Sequence, residues 1–123
     1  MPRFAVLIAH PLHFGLLKPG DKVEKWDYHH IADIEAENTD EAYERCQNNI
    51  PHRTDPDGSW AREAHVTLTP EGERLKYRQG NDSIRSLSVG DILIHEESGE
   101  HYIVASAGFY ILDDAGMEYE VVG

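Results

Sequence analysis

The chain has one cysteine, Cys46, so an intramolecular disulfide and a thiolate metal cluster are both excluded. It also has no long apolar run. The longest, Phe4 to Ala9, is about a third of the ~20 residues that a membrane-spanning helix needs. No basic stretch precedes it in the manner of a secretion signal, because strand-like residues begin directly after Met1-Pro2-Arg3. A cytosolic location with no membrane contact is the expectation. Positive charge is scarce as well: 11 Lys and Arg against 23 Asp and Glu give a formal net charge of -12. A field of that sign repels phosphate backbones, which argues against direct nucleic-acid binding and for a protein partner with a basic surface. It also keeps a small domain soluble.

The deficit is uneven. Residues 32–50 carry six acids (Asp33, Glu35, Glu37, Asp40, Glu41 and Glu44) against Arg45 alone. Residues 91–123 carry eight (Asp91, Glu96, Glu97, Glu100, Asp113, Asp114, Glu118 and Glu120) and no Lys or Arg.

What is present is the composition of a folded domain. With 123 residues, 40% hydrophobic and 28% charged, the chain fits a single domain, 1–123, away from the disordered class. Arg3 to Ala9 is short, aliphatic and β-branched, which predicts a strand buried on both faces. Lys18-Pro19-Gly20-Asp21 is a turn. Tyr28 to Ala36 alternates, with Ala32, Ile34 and Ala36 on one face and Asp33, Glu35 and Glu37 continuing on the other, which predicts a half-buried strand.

A helix over 39–49 follows. Asn38 is its N-cap, Glu41 completes a capping box, and Ala42, Tyr43, Cys46 and Ile50 form its apolar face. Pro70-Glu71-Gly72 and Gly80 to Ser83 read as turns. Residues 91–112 predict a β-hairpin turning at Glu97 to Glu100 and then a further strand; Met117 to Val122 is a candidate fourth. The expected fold is α+β: an antiparallel β-sheet with one principal amphipathic helix packed on a face. Expected core residues are Val6, Ile8, Ile34, Tyr43, Cys46, Ile92, Ile94, Ile103, Val104 and Ile111.

Catalytic patterns are missing. No Gly-x-Ser-x-Gly elbow occurs, Gly90 and Gly99 stand alone rather than in a phosphate loop, and Cys46 falls on the apolar helix face. The chain has eight histidines, but zinc needs three or four converging ligands. Pro11 breaks the His10–His13 spacing, His29 and His30 point to opposite faces of a strand, and only His95 and His101 are placed to meet across a hairpin. No cofactor, metal site or catalytic residue is expected. The rival expectations are a metal-dependent hydrolase built on the histidines and a structural homo-oligomer. The one basic segment, Arg74-Leu75-Lys76-Tyr77-Arg78 with Arg85, has the form of a single-strand grip. In so acidic a chain, pairing with its own acids is the better explanation. The carboxylate pairs Glu96-Glu97 and Asp113-Asp114 are expected in solvated turns.

Arg85-Ser86-Leu87-Ser88-Val89-Gly90-Asp91 runs into the strand Ile92-Leu93-Ile94, as a tight turn with Ser and Asp side chains able to bond its amides. Here the chain resembles small proteins of phages, plasmids and other mobile elements, of the YodL-like domain type. These carry an Arg-Ser-x-Ser-Val-Gly-Asp turn, a strand, a short hairpin turn and an apolar strand ending near Gly-Phe, as Gly108-Phe109 does here. Ile31 to Glu37 followed by Asp40-Glu41-Ala42-Tyr43 looks like the strand–helix unit those proteins carry upstream, and Asn48-Asn49 ahead of Trp60 fits too. The resemblance covers about residues 28–60 and 85–112. Ala9 to Asp27 and Trp60 to Ser83 depart from it. It implies a mobile-element protein and carries over no catalytic residue.

The expected function is non-catalytic protein binding through carboxylates: Asp33, Glu35, Glu37, Glu96, Glu97, Asp113 and Asp114. Mobile elements encode acidic inhibitors of host defence nucleases, so the resemblance implies a DNA-mimicking inhibitor of a DNA-binding defence complex. Carboxylates on one strand face recur about 7 Å apart, near the spacing of successive phosphates. The sequence does not indicate an oligomeric state.

Overall fold

The computed structural model describes residues 1–9, 17–48, 59–78 and 84–123. Eight strands form one antiparallel sheet: β1 (Arg3–Ala9), β2 (Lys22–Glu24), β3 (Tyr28–Glu35), β4 (Val66–Leu68), β5 (Ile92–His95), β6 (His101–Val104), β7 (Phe109–Ala115) and β8 (Glu118–Val121). Their spatial order is β2-β8-β7-β6-β5-β1-β3-β4. Among the described residues there are two α-helices, α1 (Thr39–Arg45) and α2 (Pro70–Arg78). The α+β class and the antiparallel sheet with a helix on its face are as the sequence predicts.

The sheet curls. β2 and β3 stand six positions apart in the order, which a flat sheet would separate by about 29 Å. Yet only the 3-10 turn Lys25–Asp27 joins them, and four Cα steps reach no more than about 14 Å. The inward face therefore has a core of its own. Val23 of β2 and Val121 of β8 pack in one cluster with Ile92, Ile103 and Leu112, against Leu7 and Tyr28. The outward face is covered on the β1–β3 side, where Phe4, Val6, Ile8, Ala32, Ile34 and Leu93 meet Ala42, Cys46, Trp60, Ile84 and Leu87. β1, central and covered on both sides, is the doubly buried strand its apolar run implies.

Local chemistry sets the start of α1. Asn38 Oδ1 accepts from the Glu41 amide at 2.9 Å. The reciprocal bond, at 3.0 Å, runs from the Glu37 amide to Glu41 Oε1, one residue before the N-cap. Its end is set from elsewhere. The helix stops at Arg45 instead of continuing toward 49, because Gln47 Nε2 donates to the Leu87 carbonyl at 3.1 Å. Asn48 bonds Ser86 Oγ through its amide and the Ile84 carbonyl through Nδ2, both at 2.8 Å. These bonds turn the chain toward residues 84–87, and Ile50 lies outside the described residues.

α2 corrects the expected turn at Pro70-Glu71-Gly72 and adds a second helix. Thr69 Oγ1 accepts from the Gly72 amide at 3.0 Å and Pro70 takes the first helical position, where its missing N–H costs nothing.

Further corrections concern burial and boundaries. Ile111 is 38% exposed, not core, and Tyr43 and Ile94 are only partly buried. β7 runs on to Ala115, so Asp113 and Asp114 are strand residues rather than turn residues. Glu97 to Glu100 do fall in the connection between β5 and β6, with Gly99 at φ 75°.

Candidate functional site

The expected acidic residues separate into two groups. At the β1–β3–β5 side, Asp33 lies on the inward face beside Ala5, which pairs with it and with Ile94. Its carboxylate sits 2.9 Å from His30 Nε2 and 3.5 Å from the Arg3 guanidinium. Arg3 in turn stands 3.8 Å from Glu96. Asp33 and Glu96 also share a side-chain hydrogen bond, which raises the Glu96 pKa; partial burial and the Asp33 charge add to this, and Arg3 and His30 oppose it. Sequence reasoning singled out both carboxylates without showing that they meet. β3 ends at Glu35, so its face holds Asp33 and Glu35 while Glu37 stands in the lead into α1. Glu97 is exposed in the β5–β6 turn.

The second group lies where no helix of the described residues covers the outward face of the sheet. Asp113 of β7 pairs with Glu120 of β8, which pairs with Lys22 of β2. One pleat along, Ala115, Glu118 and Glu24 form the parallel row. Side chains two apart share a face, so Asp113, Glu118, Glu120 and Glu24 share this surface with one lysine. No ion pair involves these four among the described residues. Ile111 and Val122, 38% and 49% exposed, continue the same face. Asp114 points the other way. It takes the Lys25 ammonium at 2.6 Å, which lowers its pKa together with the Gly116 amide, and Lys25 lies 4.9 Å over the Tyr119 ring.

Sequence reasoning placed Asp113 among the binding residues but counted Glu118 and Glu120 only as acids of the 91–123 segment, and did not single out Glu24. The missed signal is the alternation Glu118-Tyr119-Glu120-Val121, which places two acids outward and two apolar residues inward.

The 85–91 turn is a polar tie at the centre of the fold. Arg85 grips Asp91, Nη1 donating to Oδ2 at 2.6 Å and Nη2 to Oδ1 at 2.9 Å. Asp91, fully buried, also accepts from the Ala9 and Ser88 amides at 2.9 and 2.8 Å. Trp60 Nε1 donates to the Arg85 carbonyl at 3.0 Å, and Tyr28 donates to the Gly90 carbonyl at 2.6 Å. Burial and the Asp91 charge push the Tyr28 phenol well up. Gly90, at φ 95°, supplies the left-handed residue the turn requires. Every polar group of this turn named here faces the protein's own backbone or side chains.

The histidines are dispersed. His29 pairs with Ile8 on the helix-covered face and stands 3.8 Å from Glu71, whereas His30 faces Asp33 on the other side. His101 lies opposite Ile94, not His95, so the hairpin pair point to opposite faces; His95 packs on Phe4 and His101 on Tyr119. His10 and His13 lie outside the described residues. Among the described residues no group of three or more His, Cys, Asp or Glu is placed to hold a metal ion. Arg74 and Lys76 of the basic segment pair with Glu71 and Glu73. No helix among the described residues is long and apolar enough to cross a membrane. Comparison with protein-family models, with curated proteins and with solved structures finds no match to this chain.

Proposed function

We propose that this protein is a non-catalytic binding module whose outward β7–β8–β2 surface engages a basic surface on a partner protein. The observation that carries the reading is the row Asp113–Glu120 beside Glu118–Glu24, none of them ion-paired among the described residues. Like charges placed directly opposite each other cost stability in an isolated sheet, and a cationic partner relieves that repulsion. The carboxylates repeat about 7 Å along each strand and ~4.8 Å between strands. That pattern, with the mobile-element resemblance of Arg85 to Asp91, supports a partner that normally holds nucleic acid, such as a host defence complex. Asp33 and Glu96 are bound within the protein's own cluster, so they are secondary contacts in this reading.

The test is capture from host lysate at graded salt, followed by competition with duplex DNA. The expected partners are basic nucleic-acid-binding proteins released by salt and by DNA. They should be lost to a variant combining Asp113→Asn, Glu118→Gln and Glu120→Gln. A partner held equally at high salt and not displaced by DNA would exclude mimicry.

A further inference from the structure

We propose that Trp26 anchors the partner contact by taking an arginine guanidinium, supplied by a basic segment of the partner protein, onto its indole face. The proposal rests on the reading above, that the acidic surface binds a basic partner. Trp26 lies in the 3-10 turn that leaves β2 and is 64% exposed. The Lys25 amide donates to the Met117 carbonyl at 3.1 Å, which sets this turn beside the β7–β8 turn, where Met117 is 68% exposed. An exposed Trp and an exposed Met thus stand at the end of the acidic rows. Both types are enriched in protein interfaces, and Trp is the commonest kind of energetic anchor.

The choice of occupant comes from charge and from a pattern already filled next door. Lys25 and Asp27 flank Trp26 in the chain, Glu24 stands one residue further back, and Glu118 pairs with Glu24 across the strands. Residues 17–28 and 109–123 together hold seven acids against three lysines, and Lys25 is committed to Asp114. That commitment is itself informative: Lys25 lies on an aromatic face, Tyr119, with a carboxylate alongside. Trp26 has the aromatic face and the neighbouring carboxylates, and no cation or ring contacts it among the described residues. Tryptophan is the strongest of the cation-binding rings. A guanidinium stacks on it while its planar fork reaches carboxylates, which an ammonium does less well.

The experiment titrates the full chain with an eight-residue arginine peptide, with lysine and glutamine peptides of the same length as controls. Fluorescence reports on Trp26 because the second tryptophan, Trp60, is fully buried. The arginine peptide is expected to change Trp26 emission and to bind more tightly than the lysine peptide. Read by titration calorimetry, which needs no indole at 26, Trp26→Ala should weaken it about tenfold, the scale of one interface anchor, and Trp26→Phe should recover part of the loss. Arginine binding unchanged in Trp26→Ala, or equal binding of the lysine peptide, overturns the anchor while leaving the acidic-surface reading intact. Trp26-dependent self-association without peptide, seen by sedimentation, overturns it in favour of a second copy of this chain. Arginine binding that is lost with Trp26→Ala but unchanged in the Asp113, Glu118 and Glu120 triple variant separates the two, removing the wider acidic reading instead.

Discussion

Arg85 and Asp91 meet as a two-pronged ion pair, with bonds of 2.6 and 2.9 Å, and the carboxylate side is sealed from solvent while the guanidinium keeps 24% of its surface. Asp91 also holds the amides of Ala9 and Ser88, so one side chain ties the end of β1 to the turn before β5. Removing one partner of a buried pair strands the other. Asp91→Ala is expected to cost about 3–5 kcal/mol, read as a fall in the urea midpoint. Arg85→Lys should cost less, because an ammonium keeps the charge but makes only one of the two bonds.

Gly72 faces a different constraint. A Cβ there would overlap the Ile31 carbonyl oxygen and lie 2.9 Å from its carbon. In an open helix, Gly→Ala gains about 1 kcal/mol. Here the helix cannot move off without breaking the Thr69 amide bond to that same carbonyl, 3.0 Å long. Overpacking of about 1–3 kcal/mol wins, so Gly72→Ala should lower the melting temperature.

Glu96 gives the protein a pH-dependent element. Its pKa is raised in the fold, chiefly by the hydrogen bond with Asp33, so the folded state holds its proton more tightly than the unfolded chain. The associated stability is fully present below the unfolded pKa and is lost as pH rises through the folded pKa. Glu96→Gln keeps a donor to Asp33 at every pH. Urea midpoints of the two proteins should lie close together in acid and separate toward neutral pH, with the Gln variant the more stable. A separation that grows in the opposite direction would contradict the shared bond.

The outward acids are expected to matter for binding and not for folding. Asp113→Asn removes a like charge directly opposite Glu120, so its stability should be equal to the native chain's or slightly higher. Its affinity for a basic partner should fall, with a shallower dependence on salt. Circular dichroism melts beside a salt-graded binding titration check both.

The β5–β6 hairpin, β1, β3 and the Asn38 cap were legible because each depends on residues close in the chain. Alternation places Ile34 on the helix-covered outward face and Asp33 on the inward one, and Asn38 meets Glu41 three residues on. The helix start at Thr69-Pro70 reads as a turn instead, because a proline with a glycine two residues on also spells one. Only contact with the Ile31 backbone shows why the glycine is there.

Other features belong to the tertiary structure alone. α1 ends where residues 84–87 capture Gln47 and Asn48. Ile111 is as apolar as Ile103, yet it is exposed while Ile103 is buried, because neighbouring strands turn them to opposite faces and the described helices lie on the β1–β3 side. Asp33 and Glu96 come together through β1, which lies between their strands. Patterning decides which residues share a face. Which face is covered depends on how a sheet of eight strands curls, and that is set by contacts among residues far apart in the chain.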